Sequence, residues 1–583
     1  MWMTATATAL TSTFAAIVLI WLAIEVVFVV VFYRIWLPRF QQLRPPEDYR
    51  GYSRDRRKLL CRILSRVEKT CTEHNIPLRE TLRRYVREWF QPISNTTATT
   101  TTTTTTTSTS SDIDGADDTT DNNNNDHDKQ SENNKDDDDN DDDGPTKEED
   151  LWWPKRDDMD HFFAWAFFGR KYEELDDWMH KDMERMYETI ETHYGLVFEP
   201  GTSPNYKPMR LSLDPIQPSY RPFIVYAFFS SMKLLAGLAL RATGFYACKS
   251  STGMMYFYRP ARRLPHRRRT FFKNNQADNQ NVDDHNSNND HIGTAKQLPL
   301  IFLHGIAPGG LFFYIPMLFY LGGDGRPLLF FENPDISFYI LGGYPPNERE
   351  TILSVWEAVD KHLGTTQEVG LIGHSFGSCP ITWLLHSAEK TRIRQIVLVD
   401  PVSILLSEPD VVQNFLYQRN CLRKKKMPIK IGVVSNEIFT EHYLRRHFSW
   451  YNSELWLEDL PDHAKVLVCL SDEDSIVPSQ KVHREVLRKP DVEILVWENA
   501  GHAHCVTRPR TWRQIHTLMR RQEQMIFQET TTTTIDMSTS NSTFPSSSSS
   551  SIQQDISTTQ TIPTDVTHTT GNTMTTISEK KDL

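Results

Sequence analysis

Short runs of apolar residues alternate with helical patterns between residues 298 and 528. Apolar runs of this length are typical of strands buried on both faces, as parallel strands between two layers of helices are. The alternation therefore predicts an α/β fold with a mostly parallel central sheet. The predicted strands are residues 298–304, 327–331, 368–373, 393–399, 465–470 and 492–497, and the predicted helices are residues 348–363, 378–389 and 511–528.

A long insertion between Asp400 and His463 interrupts this alternation. It is rich in aromatic and cationic residues, and it joins two of the predicted core strands. A segment in that position predicts a cap that covers a site at the edge of the sheet. We place this cap at about residues 404–463.

The pentapeptide Gly373-His374-Ser375-Phe376-Gly377 stands between a predicted strand and a predicted helix. In that context G-x-S-x-G puts a serine on a sharp turn, where glycines relieve close contacts with the backbone. An alcohol is a weak nucleophile near neutral pH unless a base takes its proton and an acid orients that base. Amide donors must also stabilise the oxyanion that forms. Ser375 is the predicted nucleophile.

Candidates for the base and the acid follow the last two predicted strands. His502 comes directly after the last strand and is the predicted base, with His504 as the alternative. The polar run Ser471–Pro478 follows the strand before it and supplies candidate acids. Composition does not choose among its carboxylates, which are Asp472, Glu473 and Asp474.

The glycine-rich segment His304–Gly310 follows the first predicted strand of this region. An oxyanion hole is usually built from one amide in such a loop and the amide of the residue after the nucleophile. We therefore expect the backbone N–H groups of Ile306 and Phe376 to form the oxyanion hole. A simple tight loop is the alternative for these glycines.

Taken together, these segments resemble the α/β-hydrolase superfamily over residues 297–528. The HG strand end, the G-H-S-x-G turn, the D-x-[IV]-V-P loop and the A-G-H loop occur in the order typical of that family. The resemblance implies an α/β-hydrolase fold, His502 as the base, and Asp474 as the acid because it lies two residues before Ile-Val-Pro. Some members carry the acid one strand earlier, so Asp400 is the fallback acid.

Three stretches lack the apolar residues that a packed core requires. Residues 95–150 pass from a threonine run into Asp/Asn repeats, residues 274–296 are rich in Asn, Asp and Gln, and residues 529–583 are mostly Thr and Ser. We expect an acidic linker, an insert and a tail, all disordered. Residues 112–150 carry a charge of −15 against −11 for the whole chain, so the remainder is slightly basic.

An apolar segment near the N-terminus predicts a membrane anchor. Phe14–Tyr33 is long enough to cross a bilayer as a helix and holds a single charge, Glu25. Basic residues follow it and none precedes it, the reverse of a secretory signal peptide. We expect a single-pass anchor at residues 14–36, with its basic side in the cytosol, and a basic helical juxtamembrane region at residues 37–94. Glu25 either contacts another helix or is a tolerated, protonated carboxyl.

The C-terminal residues Lys580 and Lys581 resemble the dilysine retrieval signal of endoplasmic-reticulum membrane proteins. That signal is read in the cytosol, which is where the charge bias around the anchor places the tail. The two features predict an endoplasmic-reticulum protein with a cytosolic catalytic domain. The anchored architecture loosely resembles fungal and protist α/β-hydrolase proteins.

A second apolar segment, Phe223–Tyr246, lies within residues 151–273 and is interrupted by Lys233 and Arg241. If this segment spanned the bilayer, the catalytic domain would lie on the opposite side. We therefore expect residues 151–273 to form a membrane-proximal helical region. In this hypothesis the apolar helix lies in the interface or packs on the enzyme, and its cations reach toward lipid headgroups.

These features predict a membrane-anchored serine esterase or lipase that acts on lipid or another hydrophobic ester. Ser375 would form an acyl-enzyme, which water then hydrolyses. We expect membrane lipids as partners, and no nucleic acid, cofactor or metal. The seven cysteines form no CxxC pair, so the sequence does not support a zinc site. The alternatives are an acyltransferase that uses the same triad and a catalytically inactive membrane adaptor. The oligomeric state is not predicted.

Overall fold

The computed structural model describes residues 2–44, 56–93, 152–262, 297–342, 345–417 and 434–540, with side chains from Thr13 to Glu529. The predicted disordered linker at 95–150 and insert at 274–296 lie outside the described residues. The tail lies outside them from residue 541 onward.

Ten strands are present in the described residues. They are β1 Phe90–Pro92, β2 Tyr206–Pro208, β3 Tyr246–Lys249, β4 Met255–Arg259, β5 Leu300–Leu303, β6 Leu328–Glu332, β7 Val369–His374, β8 Ile393–Val399, β9 Lys465–Ser471 and β10 Val492–Trp497. Strands β1 and β2 form a separate antiparallel pair.

The other eight strands form one sheet in the order β10-β9-β8-β7-β5-β6-β4-β3. Neighbouring strands are parallel from β10 to β6, and β4 is antiparallel to both β6 and β3. Every residue of β5, β6 and β7 is buried. The prediction of a mostly parallel sheet in an α/β-hydrolase fold is confirmed.

The sheet begins earlier in the chain than the sequence predicts. Strands β3 and β4 lie within residues 151–273, where a helical region was predicted, so that prediction is wrong for this hairpin. The reason is physical: β3 is an edge strand with exposed residues, and β4 mixes buried aromatic residues with exposed ones. Neither strand therefore has the continuous apolar run that marks the buried parallel strands.

Helices cover both faces of the sheet and form the N-terminal region. They are α1 Trp2–Val31, α2 Leu37–Gln41, α3 Arg56–His74, α4 Leu78–Arg87, α5 Arg156–Phe168, α6 Asp177–Tyr194, α7 Phe223–Ala242, α8 Ile315–Leu321, α9 Glu348–Leu363, α10 Ser378–Leu385, α11 Asp410–Val412, α12 Ile438–Arg446, α13 Trp450–Ser453, α14 Ser479–Leu487, α15 His504–Thr507 and α16 Pro509–Ser540. Helix α16 passes the predicted end at residue 528 because no Gly or Pro stops it there.

The predicted cap lies between β8 and β9 and contains α11, α12 and α13 in its described part. The N-terminal helices pack against it. Arg66 of α3 forms a buried ion pair with Glu454 at 3.0 Å, and the indole of Trp450 donates a hydrogen bond to the carbonyl of Ala166 in α5. These contacts join residues that are several hundred positions apart in the chain, so the N-terminal helices help to hold the cap in place.

Helix α1 continues through a π-helical turn at Phe32–Trp36 into α2. Thr13–Gln41 is long and apolar enough to cross a membrane. Glu25 is not an isolated carboxyl: it accepts hydrogen bonds from the amide of Phe223 at 2.9 Å and from the hydroxyl of Tyr220. Of the two alternatives for Glu25, the structure shows the contact with another helix, because its carboxylate caps the N-terminus of α7.

Helix α7 also meets the length and hydropathy of a membrane span. One of its faces packs on the domain that holds the central sheet, where Tyr226, Ala236 and Leu240 are buried. Lys233 does not reach outward, since its ammonium lies 3.4 Å from the buried carboxylate of Glu332. The prediction that this cation reaches toward headgroups is wrong, because Glu332 offers it a partner inside the protein.

Candidate active site

Ser375 lies at the turn that joins β7 to α10, as the pentapeptide predicts. Its φ is 51°, in the left-handed region that residues other than glycine rarely adopt. Such a conformation costs about 1–3 kcal/mol and persists where the surrounding structure enforces it. The side chain is 8% exposed, so the hydroxyl lies at the base of a covered site.

The two glycines of the pentapeptide are required by close backbone approach. A Cβ on Gly373 would lie 2.6 Å from the carbonyl oxygen of Gly377, and a Cβ on Gly377 would overlap the carbonyl of Leu303 in β5. A side chain at Gly373 would prevent the turn from closing on itself, because its other near neighbour is Ile381 of α10. A side chain at Gly377 would push the turn away from β5, so glycine at this position lets the turn that carries Ser375 lie against the end of that strand.

His502 and Asp474 complete a hydrogen-bonded chain with Ser375. The Nε2 atom of His502 lies 2.9 Å from the hydroxyl of Ser375, and its Nδ1 atom lies 2.7 Å from a carboxylate oxygen of Asp474. The other carboxylate oxygen accepts the amides of Ile476 and Val477 at 2.8 and 2.9 Å. Because Asp474 accepts the Nδ1 proton, Nε2 is left free to accept a proton from Ser375.

Opposing effects determine the pKa of His502. Burial by itself lowers the pKa of His502, but the charge and hydrogen bond of Asp474, with a further contribution from Asp400, raise it above its usual value of 6.5. A raised pKa makes the imidazole a stronger proton acceptor, provided that the pH is high enough to keep it neutral.

Asp400 lies close to the hydrogen bonds that link Ser375, His502 and Asp474, but it is not part of them. Its carboxylate accepts the amide and the hydroxyl of Ser471 at 2.9 and 3.1 Å and the amide of Ala503 at 3.2 Å. Burial raises the pKa of Asp400 to about 6, against the opposing influence of His502. Asp400 thus ties the end of β9 to the residue after His502, and Asp474 is the carboxylate that contacts the imidazole.

The other candidates of the two loops lie apart from Ser375. His504 begins α15, and its amide bonds to the carbonyl of Gly501. Asp472 accepts the amide of Ala500 at 3.0 Å, which lowers its pKa and fastens the loop that carries His502. Glu473 is exposed. Geometry therefore separates residues that composition left equivalent.

The predicted oxyanion loop lies beside Ser375. A Cβ on Gly305 would lie 2.9 Å from the Cβ of Ser375 and from the carbonyl oxygen of His374, so only glycine fits there. The Nε2 atom of His304 accepts the amide of Asn333 at 3.0 Å, and its Nδ1 atom lies 2.6 Å from the carbonyl of Gly305. Burial lowers the pKa of His304 to about 4, so it is neutral and pins the loop to the end of β6.

Two residues that support this loop were missed by sequence analysis. The hydroxyl of Tyr314 accepts the amide of Gly305 at 3.3 Å and lies 2.8 Å from Nδ1 of His374. The Nε2 atom of His374 lies 4.0 Å from a carboxylate oxygen of Asp400. Burial and the neighbouring His502 lower the pKa of His374 well below its usual range, so it stays neutral. Tyr314 has no sequence signal, since it belongs to no motif.

Two groups of side chains in the described residues bring potential metal-ligand atoms within 4.8 Å of one another. These are His374 with Asp400 and Cys505, and Asp400 with Asp474 and His502. The carboxylates already accept backbone amides, hydroxyl or imidazole protons, which accounts for their arrangement without a cation. The expectation that the reaction uses neither metal nor cofactor stays a prediction.

The cap and helix α7 border the site from two sides. The ring of Phe376 packs edge-on against Tyr443 of α12, at 5.4 Å between centroids, and lies 5.8 Å from Phe448. On the other side, the Cβ position of Gly309 in the predicted oxyanion loop lies 3.3 Å from Met232 of α7. Both predicted oxyanion segments are thus braced by elements outside the central sheet.

No protein-family description matches this chain, and no curated relative does. Three solved structures similar to it are hydrolases, and each aligns with about half of the chain. A putative aryl esterase from Burkholderia cenocepacia is 15% identical, covering 48% of this chain and 98% of its own, with a TM-score of 0.32. Carboxylesterase CesB from Bacillus subtilis is 13% identical, covering 51% and 98%, with a TM-score of 0.33.

A bacterial membrane phospholipase A is 12% identical, covering 51% of this chain and 94% of its own, with a TM-score of 0.33. At such scores these similarities define neither the fold nor the reaction. The assignment of the fold rests on the strand order, and the contacts of Ser375, His502 and Asp474 are the basis for a functional proposal.

Proposed function

We propose that this protein is a membrane-anchored serine hydrolase that cleaves carboxylic esters of lipids or other hydrophobic molecules. The observation that carries the proposal is the hydrogen-bonded chain from Ser375 through His502 to Asp474, with distances of 2.9 and 2.7 Å. A serine, a neutral imidazole and an orienting carboxylate in this order are what acyl transfer to an alcohol requires.

The proposed reaction proceeds in two halves. His502 takes the proton of Ser375 as its oxygen attacks the ester carbonyl, and the amides of Ile306 and Phe376 stabilise the oxyanion. His502 then gives the proton to the leaving alkoxide, and an acyl-enzyme remains on Ser375. Water, deprotonated by His502, attacks the acyl-enzyme and releases the acid and free Ser375.

The surroundings of the site support the proposal of a hydrophobic substrate. Aromatic side chains of the cap border the proposed oxyanion residue, and the apolar helices α1 and α7 lie on the same domain. Ester hydrolysis in such a setting suits an acyl group that partitions into lipid. The endoplasmic reticulum as the membrane, and a cytosolic catalytic domain, remain part of the proposal.

The proposal is tested with purified full-length protein in detergent and a panel of p-nitrophenyl esters of increasing acyl length. We expect turnover by the wild type and loss of at least about 10³-fold in the Ser375→Ala variant, because the residual rate comes from binding and the oxyanion amides alone. The matched control is Ser378→Ala, which removes a buried hydroxyl that donates a hydrogen bond to the carbonyl of Ser375 and does not contact His502. Equal rates in wild type and Ser375→Ala would contradict the proposal.

A further inference from the structure

Helix α7 presents a second apolar face, opposite to the one that packs on the domain. Its members recur at helical spacing and are between 50% and 64% exposed in the described structure. They are Ile224, Phe228, Leu234, Leu235 and Leu238. The ring of Tyr339 lies 4.3 Å from the ammonium of Lys233 in this helix, and Leu341, two residues later in the chain, is 75% exposed. An apolar face of this extent is uncommon on a water-exposed helix.

The inner face shows that α7 lies along the domain and does not cross a bilayer alone. Tyr226 donates a hydrogen bond to the buried Glu437 at 2.9 Å, Lys233 pairs with Glu332, and Gly237 lies against the ring of Phe257 in β4. These partners are spread along the helix. If α7 spanned a bilayer, the buried carboxylates and the edge of the sheet would have to lie in the hydrocarbon region, at high cost.

The anchor leaves the domain at the beginning of α7. Helix α1 packs on the protein from Glu25 onward, where Phe28 and Phe32 are buried, whereas its described side chains from Thr13 to Ile24 are almost all exposed. The helical residues before Glu25 carry no charged side chain and span about 34 Å, enough for the hydrocarbon core. Glu25 binds the amide of Phe223, so the bilayer surface reaches the domain where α7 starts.

We propose that the outer face of α7 is a membrane-docking surface, which lies in the same bilayer that holds the anchor and brings the active site to the lipid surface. The occupant is the bilayer itself, because the anchor and α7 are joined by a hydrogen bond and share one apolar cluster with Phe28 and Tyr226. The membrane-embedded part of α1 then ends near Glu25, and Phe28 and Phe32 of the predicted span are packed on protein.

Helix α7 also connects the proposed docking surface to the active site. Its inner residue Met232 contacts Gly309 of the oxyanion loop, and Phe313, 43% exposed, lies in the helical turn that follows that loop. A lipid that leaves the bilayer beside α7 therefore meets the oxyanion side of the site first. This step rests on the proposed esterase function, whereas the docking itself does not.

Docking is measured without reference to activity. Full-length protein is placed in nanodiscs of phosphatidylcholine and phosphatidylserine that contain a phospholipid with a photoactivatable diazirine in its acyl chain, and adducts are mapped by mass spectrometry. We expect adducts on the peptide that holds Phe228 and Leu235, and none above background on α14, where Leu487 is equally exposed. Equal labelling of both peptides would overturn the proposal. Absence of adducts on α7 would also overturn it, including the case in which a second copy covers this face.

The functional consequence is measured with a triple variant, Phe228→Gln, Leu235→Gln and Leu238→Gln, which keeps good helix formers on α7. We expect hydrolysis of a long-chain ester embedded in the nanodisc to fall about tenfold, because less apolar surface enters the lipid. Hydrolysis of soluble p-nitrophenyl butyrate should stay within about twofold, since no altered side chain touches the site. The matched control replaces three exposed apolar residues on other elements, Val197, Leu353 and Leu487, with Gln.

An equal fall for both substrates, or an equal effect of the control variant, would overturn the proposal. If the wild type hydrolyses neither ester, the proposed function fails, and the lipid adducts still decide whether α7 docks.

Discussion

Replacing Asp474 with asparagine tests whether this carboxylate sets the tautomer and the orientation of His502. In the structure one oxygen of Asp474 accepts the amides of Ile476 and Val477, and the other accepts the Nδ1 proton of His502. An asparagine that keeps its oxygen on the two amides turns its NH₂ group toward Nδ1. His502 must then accept at Nδ1 and carry its proton on Nε2, where it can no longer take the proton of Ser375.

The expected loss follows from that change of tautomer. A correctly placed imidazole in the wrong tautomer lowers kcat by about 10⁴-fold in a serine triad, which corresponds to about 5.4 kcal/mol of barrier. Asp474 is fully buried at its side chain and 2.7 Å from Nδ1, so water cannot replace its carboxylate as the acceptor. We therefore expect Asp474→Asn to fold and to lose about 10⁴-fold in kcat/KM.

The assay is hydrolysis of p-nitrophenyl butyrate by full-length protein in detergent, with circular dichroism to compare folding. Glu473→Gln is the matched control, because Glu473 is an exposed carboxyl in the same loop and should change kcat/KM less than about threefold. A variant Asp474→Asn that keeps activity within tenfold of wild type would refute the assignment. So would an Asp400→Asn variant that loses 10⁴-fold while Asp474→Asn does not.

Three further predictions concern pH, backbone packing and the second carboxylate. Because the pKa of His502 is raised, kcat/KM should fall as the pH drops through a midpoint above 6.5, and a midpoint below 6.5 would contradict the pairing. Gly377→Ala should prevent folding or lower the thermal midpoint strongly, since its Cβ would overlap the carbonyl of Leu303, whereas Gly237→Ala, with its nearest neighbour at 3.7 Å, should be tolerated. Asp400→Asn should lower the free energy of unfolding by about 1–3 kcal/mol by leaving buried donors unpaired, measured by denaturant titration, and an unchanged midpoint would argue against its anchoring role.

The parallel part of the fold could be predicted because burial on both faces leaves a plain pattern. The runs at 393–399 and 492–497 have the bounds of β8 and β10, and the helix predicted at 348–363 has the bounds of α9. The hairpin of β3 and β4 could not be predicted in this way. Its exposed edge and its mixture of aromatic and polar residues do not differ from those of a surface loop or an amphipathic helix.

The residues of the site also fall into those that a local sequence signal predicts and those that only tertiary contacts identify. Ser375 was predicted because glycine spacing on a strand-to-helix turn is a local signal, and the structure places His502 beside it, as predicted. The choice among Asp400, Asp472 and Asp474 came from a family resemblance, because only tertiary contacts decide which carboxylate faces the imidazole. Tyr314 could not be found from sequence, since its role depends on a hydroxyl that bridges two segments distant in the chain.

The membrane-facing features show the same dependence on tertiary contacts. The charge pattern predicted the anchor but did not indicate a partner for Glu25. That partner is the N-terminus of α7, which lies nearly two hundred residues later in the chain. The sequence predicts that Lys233 faces solvent or lipid headgroups. Its partner Glu332 stands at the end of a buried strand, so the pairing depends on how α7 is placed over the sheet.

Covalent labelling decides whether Ser375 is an activated nucleophile. Full-length protein is treated with a fluorophosphonate, which reacts with serines activated as nucleophiles, and the modified peptide is identified by mass spectrometry. We expect one adduct, on Ser375, that is lost in Ser375→Ala and strongly slowed in Asp474→Asn. Undiminished labelling of Ser375→Ala, or a wild-type protein that does not react at all, would contradict this expectation.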